Sequence, residues 1–168
     1  MNAQANPALA VRPMLPGEAP LLAEIFRASI LELTGDDYTE SQQEAWAAAV
    51  ADEAAFAKRL GDQLTIVATL GGAPVGFASL ETGDKIGFLC VHPAVVGQGV
   101  GTVLAEAVEK LAGARGVESL SVDASDTASG FFAKRGYVAQ QRNSVRCGDE
   151  WLANTTMKKP LGGKEASS

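Results

Sequence analysis

One stretch constrains this chain more than any other: "KIGFLCVHPAVVGQGVGTVLAEAVEKL", Lys85 to Leu111. Its apolar opening, "KIGFLCV", is stopped by Pro93. Glycines at 97, 99 and 101 then lead into a segment in which Val100, Val103, Leu104, Ala107, Val108 and Leu111 recur at i, i+3 and i+4. That pattern predicts a strand, a tight turn and an amphipathic helix with one buried face. A helix N-terminus presents unpaired backbone N–H groups and the positive end of the helix dipole. Gly97, Gly99 and Gly101 let those groups approach a ligand without Cβ obstruction, so Gln98, Gly99, Val100, Gly101 and Thr102 make a candidate phosphate cradle.

Nucleotide motifs fit this turn poorly. A P-loop needs a lysine and then Ser or Thr after its last glycine, and here Gly101 is followed by Thr102 and Val103. A dinucleotide fingerprint reads G-x-G-x-x-G in a first βαβ unit, whereas this turn reads G-x-G-x-G-T halfway along the chain. The plain alternative, on the local sequence alone, is a glycine-rich connection that only makes a tight turn.

The rest of the chain supplies context. Its 168 residues suit a single domain, with 46% hydrophobic and 20% charged residues as expected of a globular protein. A net charge of −6 argues against a general nucleic-acid binder. Two scattered cysteines, one histidine and no ligand cluster argue against a catalytic metal. Met1 to Ala10 carries no basic residue and no apolar core of signal-peptide length, and no apolar stretch is long enough to span a bilayer. The expectation is a cytoplasmic protein with reduced thiols. Residues 1–8 and 162–168 read as flexible tails around a domain at 9–161.

Within that domain "LAVRPML" reads as a strand. "EAPLLAEIFRASILELT" follows as a helix with Leu22, Ile25, Phe26, Ser29 and Leu33 on one stripe. Thr39 and Gln42 form a candidate capping box for the next helix, and "DEAAFAKRL" gives a third. From Leu64 two strand-like runs joined by "GGA" read as a hairpin, with "KIGFLCV" as a third strand. After the central helix come a short strand, a short helix and two strands paired across "GD". The order β-α-α-α-β-β-β-α-β-α-β-β predicts an α+β fold: a mixed, mostly antiparallel twisted sheet with a central β-α-β crossover and helices on both faces.

In this setting the chain resembles the Gcn5-related N-acetyltransferase (GNAT) family, whose signature is Gln/Arg-x-x-Gly-x-Gly/Ala after a strand ending in an apolar-x-Val step. The matching residues are Leu89-Cys90-Val91 and Val96-Gly97-Gln98-Gly99-Val100-Gly101. "LSVDASDTASGFFAKRGY", Leu120 to Tyr137, matches the family's second signature, and the C-terminal hairpin with Trp151 also fits. The resemblance runs from about Leu9 to Leu161 and is strongest from Phe77 to Tyr137.

It implies an acetyl-CoA-dependent N-acetyltransferase without a metal, in which an amine attacks the thioester directly and proximity supplies much of the acceleration. The pyrophosphate of acetyl-CoA would meet the N–H groups of Gln98 to Thr102. The pantetheine arm would pair like an extra strand with the backbone near Leu89 and Val91, in a cleft where two parallel strands splay; Ser119 to Asp123 would be the second strand. A backbone N–H at the end of the first strand would stabilise the oxyanion. Ser125 and Phe132 would complete the cofactor side.

Three positions depart from the family pattern. The loop-opening Gln/Arg is Val96 and the usual basic residue is Gln98, which reduces the charge support for a pyrophosphate. The tyrosine said to protonate the leaving thiolate is Phe132. A glutamate often used as general base is Gly87. Asp123, on one strand face with Ser119 and Ser121, is the candidate replacement base, and a capping role ahead of Ser125 and Thr127 is the competing reading. Glu81 reads as a solvated strand-end carboxylate and His92 as a turn residue.

On the acceptor side, Asp36, Asp37, Glu40 and Glu44 read as a solvated acidic helix start. Tyr38 and Trp46 are candidates to line the acceptor cleft. The expected partner is a small-molecule or peptide amine, with neither nucleic acid nor membrane involved, and the exposed terminal hairpin could support a homodimer. A non-catalytic acyl-CoA-binding or sensing module is the rival reading, kept open by Gly87 and Phe132.

Overall fold

The structure, a computed structural model, describes residues 8–162. The expected flexible tails lie outside this range except for residues 8 and 162. The chain runs β1 (Leu9–Pro13), α1 (Ala19–Leu33), α2 (Glu40–Ala47), a 3-10 turn (Ala48–Val50), α3 (Glu53–Asp62), β2 (Leu64–Leu70), β3 (Ala73–Leu80) and β4 (Lys85–Val91). After a second 3-10 turn (Pro93–Val95) come α4 (Val100–Ala114), β5 (Ser119–Ser125), α5 (Ser129–Lys134), β6 (Val138–Cys147) and β7 (Glu150–Pro160). The seven strands form one sheet in the order β1-β2-β3-β4-β5-β7-β6. Among the described residues only β4 and β5 run parallel, joined by α4 as the expected crossover.

Alternation along the strands divides the core into two layers. Ile66, Ala68, Ala78, Leu80, Leu120, Val122 and Ala124 face Val100, Leu104 and Val108 of α4. Burying those three helix side chains contributes about 1.5–3 kcal/mol each before entropy is counted. Val67, Phe77 and Phe88 face Leu22, Ile25 and Phe26 of α1 and Phe56 and Leu60 of α3. Gly76 sets how closely α4 lies on the sheet. A Cβ there would stand 2.8 Å from the Cys90 carbonyl oxygen and 3.1 Å from Val100 and Leu104.

The buried stripe of α1 is Leu22, Ile25, Phe26 and Ile30, and Leu33, expected on it, is 36% exposed. The helix ends at Leu33, so the chain turns away before that side chain can reach the core. The capping box forms as expected: the Gln42 N–H donates to Thr39 Oγ1 and the Thr39 N–H to Gln42 Oε1.

Candidate functional site

β4 and β5 are paired at only two positions, Lys85 with Ser121 and Ile86 with Val122, after which they separate. The cause lies in β4 itself. Its register with β3 slips between Ser79↔Phe88 and Leu80↔Ile86, leaving Gly87 as the extra residue of a bulge. A bulge bends and twists its strand, here away from β5. A Cβ on Gly87 would lie 2.5 Å from Gln63 Oε1 and 2.9 Å from Ser79 Oγ, so any side chain here must displace that pair. Those two groups are joined by a 2.5 Å hydrogen bond, donated by Ser79.

The separated stretch of β4 keeps an open edge. The His92 N–H donates to the Val75 carbonyl, so alternate residues Cys90 and Phe88 address β3. The backbone groups of Leu89 and Val91 therefore face the gap. On the other side the Ser121 N–H donates to the Asp84 carbonyl, and the same alternation turns the backbone of Asp123 and Ser125 toward the gap.

At the wide end of this gap sits the glycine turn. Gly97 and Gly99 have φ of +89° and +85°, a left-handed backbone that side chains rarely adopt. This conformation reverses the chain so that the first turn of α4 faces outward. Nothing lies within 4 Å of where a Cβ on either glycine would stand. The first helical hydrogen bond of α4 runs from the Val103 N–H to the Gly99 carbonyl. The N–H groups of Gly97, Gly99, Val100, Gly101 and Thr102 donate to no other group among the described residues, whereas that of Gln98 is spent on the Val95 carbonyl. Of the residues expected at the turn, Gly97 to Thr102, only Gln98 has its N–H already engaged. Such a set suits an anionic group, and the open edge of β4 suits an extended amide chain.

Phe132 was expected to flank this gap and is instead a core residue, 3% exposed and stacked edge-on against Tyr137. Its neighbour Phe131 is the aromatic beside the turn, 3.6 Å from where a Cβ on Gly101 would lie. In the six-residue α5 the two adjacent rings touch edge-on, centroids 5.2 Å apart, and the more deeply buried one is Phe132. Ser125 Oγ accepts the Ala128 N–H and so shapes the β5–α5 connection.

Tyr38 is likewise a strut. It is 6% exposed, its hydroxyl donates to the Ala153 carbonyl at 2.6 Å, and it accepts the Asp126 N–H at 2.9 Å. The last β5–β7 pair is Ser125↔Asn154, so the next rung would join Asp126 and Ala153; the Tyr38 hydroxyl takes the place of that rung. Burial raises its pKa. Trp46 is half-buried and packs edge-on against the Tyr38 ring. Asp37, Asp36, Glu40 and Glu44 are all exposed, and Asp37 accepts a hydrogen bond from Thr127.

Asp123 points to the sheet face away from α4, into an open groove of about 550 Å³ between β5 and the β6–β7 hairpin. Lys85 Nζ lies 2.9 Å from Asp123 Oδ2, and Thr156 donates to Oδ1 at 2.6 Å. Partial burial pushes the carboxyl up, but Thr156 and Lys85 outweigh it and hold Asp123 below the usual carboxylate range. The groove's second cation, Arg142, forks onto Asp126 at 2.5 and 2.9 Å. The rest of its lining is uncharged: Ser121, Gln141, Asn143, Ser144 and Thr156 are polar and Val145 is apolar. Neither Lys85 nor Arg142 stands out in the sequence, because their partners lie 38 and 16 residues away. Glu81 lies at the β3–β4 hairpin, where its N–H donates to the Lys85 carbonyl, and His92 Nδ1 accepts the Ala94 N–H as a turn cap. Burial pushes the Cys90 thiol up to about 12, which keeps it a thiol. Among the described residues no group of three or more His, Cys, Asp or Glu is placed to hold a metal ion, and no helix is long and apolar enough to cross a membrane.

A splayed parallel pair with a glycine turn at its mouth defines an acyltransferase fold, and the comparisons with known proteins agree. A family model described as an acetyltransferase (GNAT) domain matches residues 34–161. The chain belongs to the GNAT acetyltransferase family. It is similar to the uncharacterized N-acetyltransferase YafP of Escherichia coli (strain K12), 30% identical over 88% of this chain and 93% of that one. A crystal structure from Rhodopseudomonas palustris, described as "GCN5-related N-acetyltransferase: aminotransferase, class-II", is 60% identical, covers 95% of this chain and 99% of that one, and superposes with a TM-score of 0.90. The PaiA N-acetyltransferase of Thermoplasma acidophilum, solved in complex with coenzyme A, shares the fold at 18% identity, with a TM-score of 0.75 over 90% of this chain and 98% of that one.

Proposed function

We propose that this enzyme transfers an acetyl group from acetyl-CoA to a primary amine of a small molecule or peptide. The observation that carries this reading is the juxtaposition of the unpartnered N–H groups at Gly97 and Gly99–Thr102 with the open backbone edge at Leu89 and Val91. The first would hold the pyrophosphate, and the second would pair with the amides of the pantetheine arm. Acetyl-CoA brings the activated thioester; the chain brings orientation and proton handling.

The amine would enter from the groove face, since α4 covers the other side of the sheet. Asp123, just past the last β4–β5 pair, would accept a hydrogen bond from it. Lys85 keeps that carboxylate ionised at neutral pH, so its role is to orient the neutral amine and pass the released proton to water. The turn itself, Val96 to Thr102, contains no lysine or arginine, so recognition of the cofactor would rest chiefly on the backbone.

Thermal unfolding with and without acetyl-CoA tests the donor side. A ligand that binds only the folded state adds about 2.7 kcal/mol at ~100 times its Kd. The expected result is a clear rise in Tm that Gly99→Trp abolishes. Thiol release across a panel of amines then tests turnover. Stabilisation without release for any amine would identify a binding module instead, and no stabilisation at saturating acetyl-CoA would refute both readings.

A further inference from the structure

We propose that Asn143 is a positioning residue for the acceptor side: acting through Thr156, it fixes the direction in which the Asp123 carboxylate presents its free lone pairs. The inference rests on the reading that Asp123 receives the acceptor amine.

Three strands bring the parts together. Thr156 of β7 pairs with Asp123 of β5 on one side and with Gln141 of β6 on the other, and Asn154, two residues earlier on β7, pairs with Asn143. Side chains alternate along a strand, so Gln141, Asn143, Asn154, Thr156 and Asp123 share one face, the face that carries the groove. From Val138 to Arg146 β6 is exposed except at Asn143, which is half-buried. Its side chain is laid back over the sheet.

The direction of each hydrogen bond in this row follows from the carboxylate. An ionised carboxylate only accepts, so the Thr156 hydroxyl spends its single proton on Asp123 Oδ1, at 2.6 Å. Thr156 Oγ1 can then only accept from Asn143, at 2.9 Å, which turns the Nδ2 end of that amide toward β7. The second Nδ2 proton goes to Asn154 Oδ1 at 2.8 Å, and Asn143 Oδ1 accepts from Gln141 Nε2 at 3.0 Å. The row from Gln141 through Asn143 and Thr156 thus runs inward from the sheet edge and ends on Asp123. Hydrogen bonds in series polarise one another, and the last of them, to a charged oxygen, is the strongest kind.

Asp123 is held at both oxygens. Lys85 Nζ takes Oδ2 at 2.9 Å and Thr156 takes Oδ1, which leaves each oxygen a further lone pair. Pinned from two strands, the carboxyl plane has one orientation. Lys85 alone would leave it free to turn about its terminal torsion, which is soft. Two residues beyond Thr156 on the same face stands the exposed Lys158, and Glu81 acts on Lys85.

Two readouts on the full chain test this. The first needs no acceptor: the titration of the Asp123 carboxyl carbon by 13C NMR, assigned by its loss in Asp123→Asn. Thr156→Val removes a hydroxyl that helps hold Asp123 below the usual carboxylate range, so the carbon should titrate at higher pH. Asn143→Leu should move it the same way in the parent chain and not at all in the Thr156→Val background, the non-additivity expected of residues acting in series. The second readout is thiol release with the amine of the panel that the parent chain turns over fastest. Both variants should lower kcat about tenfold or more at unchanged KM for acetyl-CoA, and the acid limb of the kcat profile should rise with the carboxyl. Thr156→Ser, which keeps the hydroxyl, should recover most of what Thr156→Val loses. A carboxyl that Asn143→Leu leaves unmoved, or moves equally in both backgrounds, overturns the inference and leaves the transferase reading standing. The first of these outcomes decides even if Thr156→Val does not fold. A carboxyl that moves without the kcat profile shows that the amine does not meet Asp123 and removes the inference together with that part of the reading, whereas no release with any amine removes the transferase reading entire.

Discussion

Removing one oxygen, by Tyr38→Phe, separates a structural strut from an acceptor-binding residue. The ring would keep its edge-on contact with Trp46, centroids 5.3 Å apart, so the packing terms change little. Lost are the bond to the Ala153 carbonyl at 2.6 Å and the bond from the Asp126 N–H at 2.9 Å. Both link segments far apart in the chain, 115 and 88 residues from Tyr38. The two backbone groups stand one rung beyond the β5–β7 ladder, which ends at Ser125↔Asn154, and with the strands held apart as they are neither reaches the other. A buried group left unsatisfied costs about 1–3 kcal/mol, and partial solvent access at both groups favours the lower half of that range. The expected loss is therefore about 2–4 kcal/mol, which for a domain of this size lowers Tm by roughly 5–15 °C. Urea unfolding followed by tryptophan fluorescence reads it directly, as a lower midpoint with an unchanged m-value. A loss under about 0.5 kcal/mol, the scale of a surface substitution, would refute the strut. A large rise in the acceptor KM at unchanged stability would return Tyr38 to the cleft.

Gly87→Ala places a methyl group 2.5 Å from Gln63 Oε1, so it should break the Ser79–Gln63 bond and lower stability by about 1–3 kcal/mol; Gln63→Ala in the same chain should recover most of that loss in a double-mutant cycle. Glu109→Gln acts on the far side of α4. Burial pushes the Glu109 carboxyl up, but Arg135, Tyr137 and Lys159 outweigh burial and hold it below its ordinary value of 4.5. A carboxyl depressed in the folded state stabilises above its unfolded pKa, and that stabilisation is lost as pH falls through the folded pKa. The variant should therefore be less stable by about 2 kcal/mol at pH 7, with the gap to the parent chain closing below about pH 4.5 in denaturant titrations across pH. A gap independent of pH would contradict this account.

Most of the fold was legible in the chain because the informative signals are local. The strand–glycine–helix junction, the Thr39–Gln42 capping box and the two-residue "GD" hairpin each act within a few residues, and each formed as read. The insertion of β7 between β5 and β6 was not legible, since adjacency in a sheet depends on long-range burial that two similar hairpin strands do not encode. In the site, the Gly97–Thr102 turn could be read because glycine at positive φ leaves a spacing in the sequence. Tyr38 and Phe132 could not. An aromatic beside acidic residues looks the same whether its hydroxyl meets a ligand or a backbone carbonyl 115 residues away. Adjacent phenylalanines on a single helical turn give no hint of which one faces inward. The bulge at Gly87 was visible only as a missing glutamate; the structure supplies the reason, which is that Gln63 and Ser79 already fill the space.

The free donors found at the glycine turn, at Gly97 and Gly99 to Thr102, are peptide N–H groups. Peptide groups are common to all residues except proline, so substitutions at Val100 or Thr102 leave the donors chemically intact, and only a change that alters the backbone path removes them. The side-chain groove at Lys85, Asp123, Gln141 and Asn143 has no such protection, because every substitution there changes what is offered to a ligand. On the proposed reading, one half of the site would thus be buffered against sequence drift while the other registers it, so that a lineage could exchange acceptors without relearning how to hold its donor.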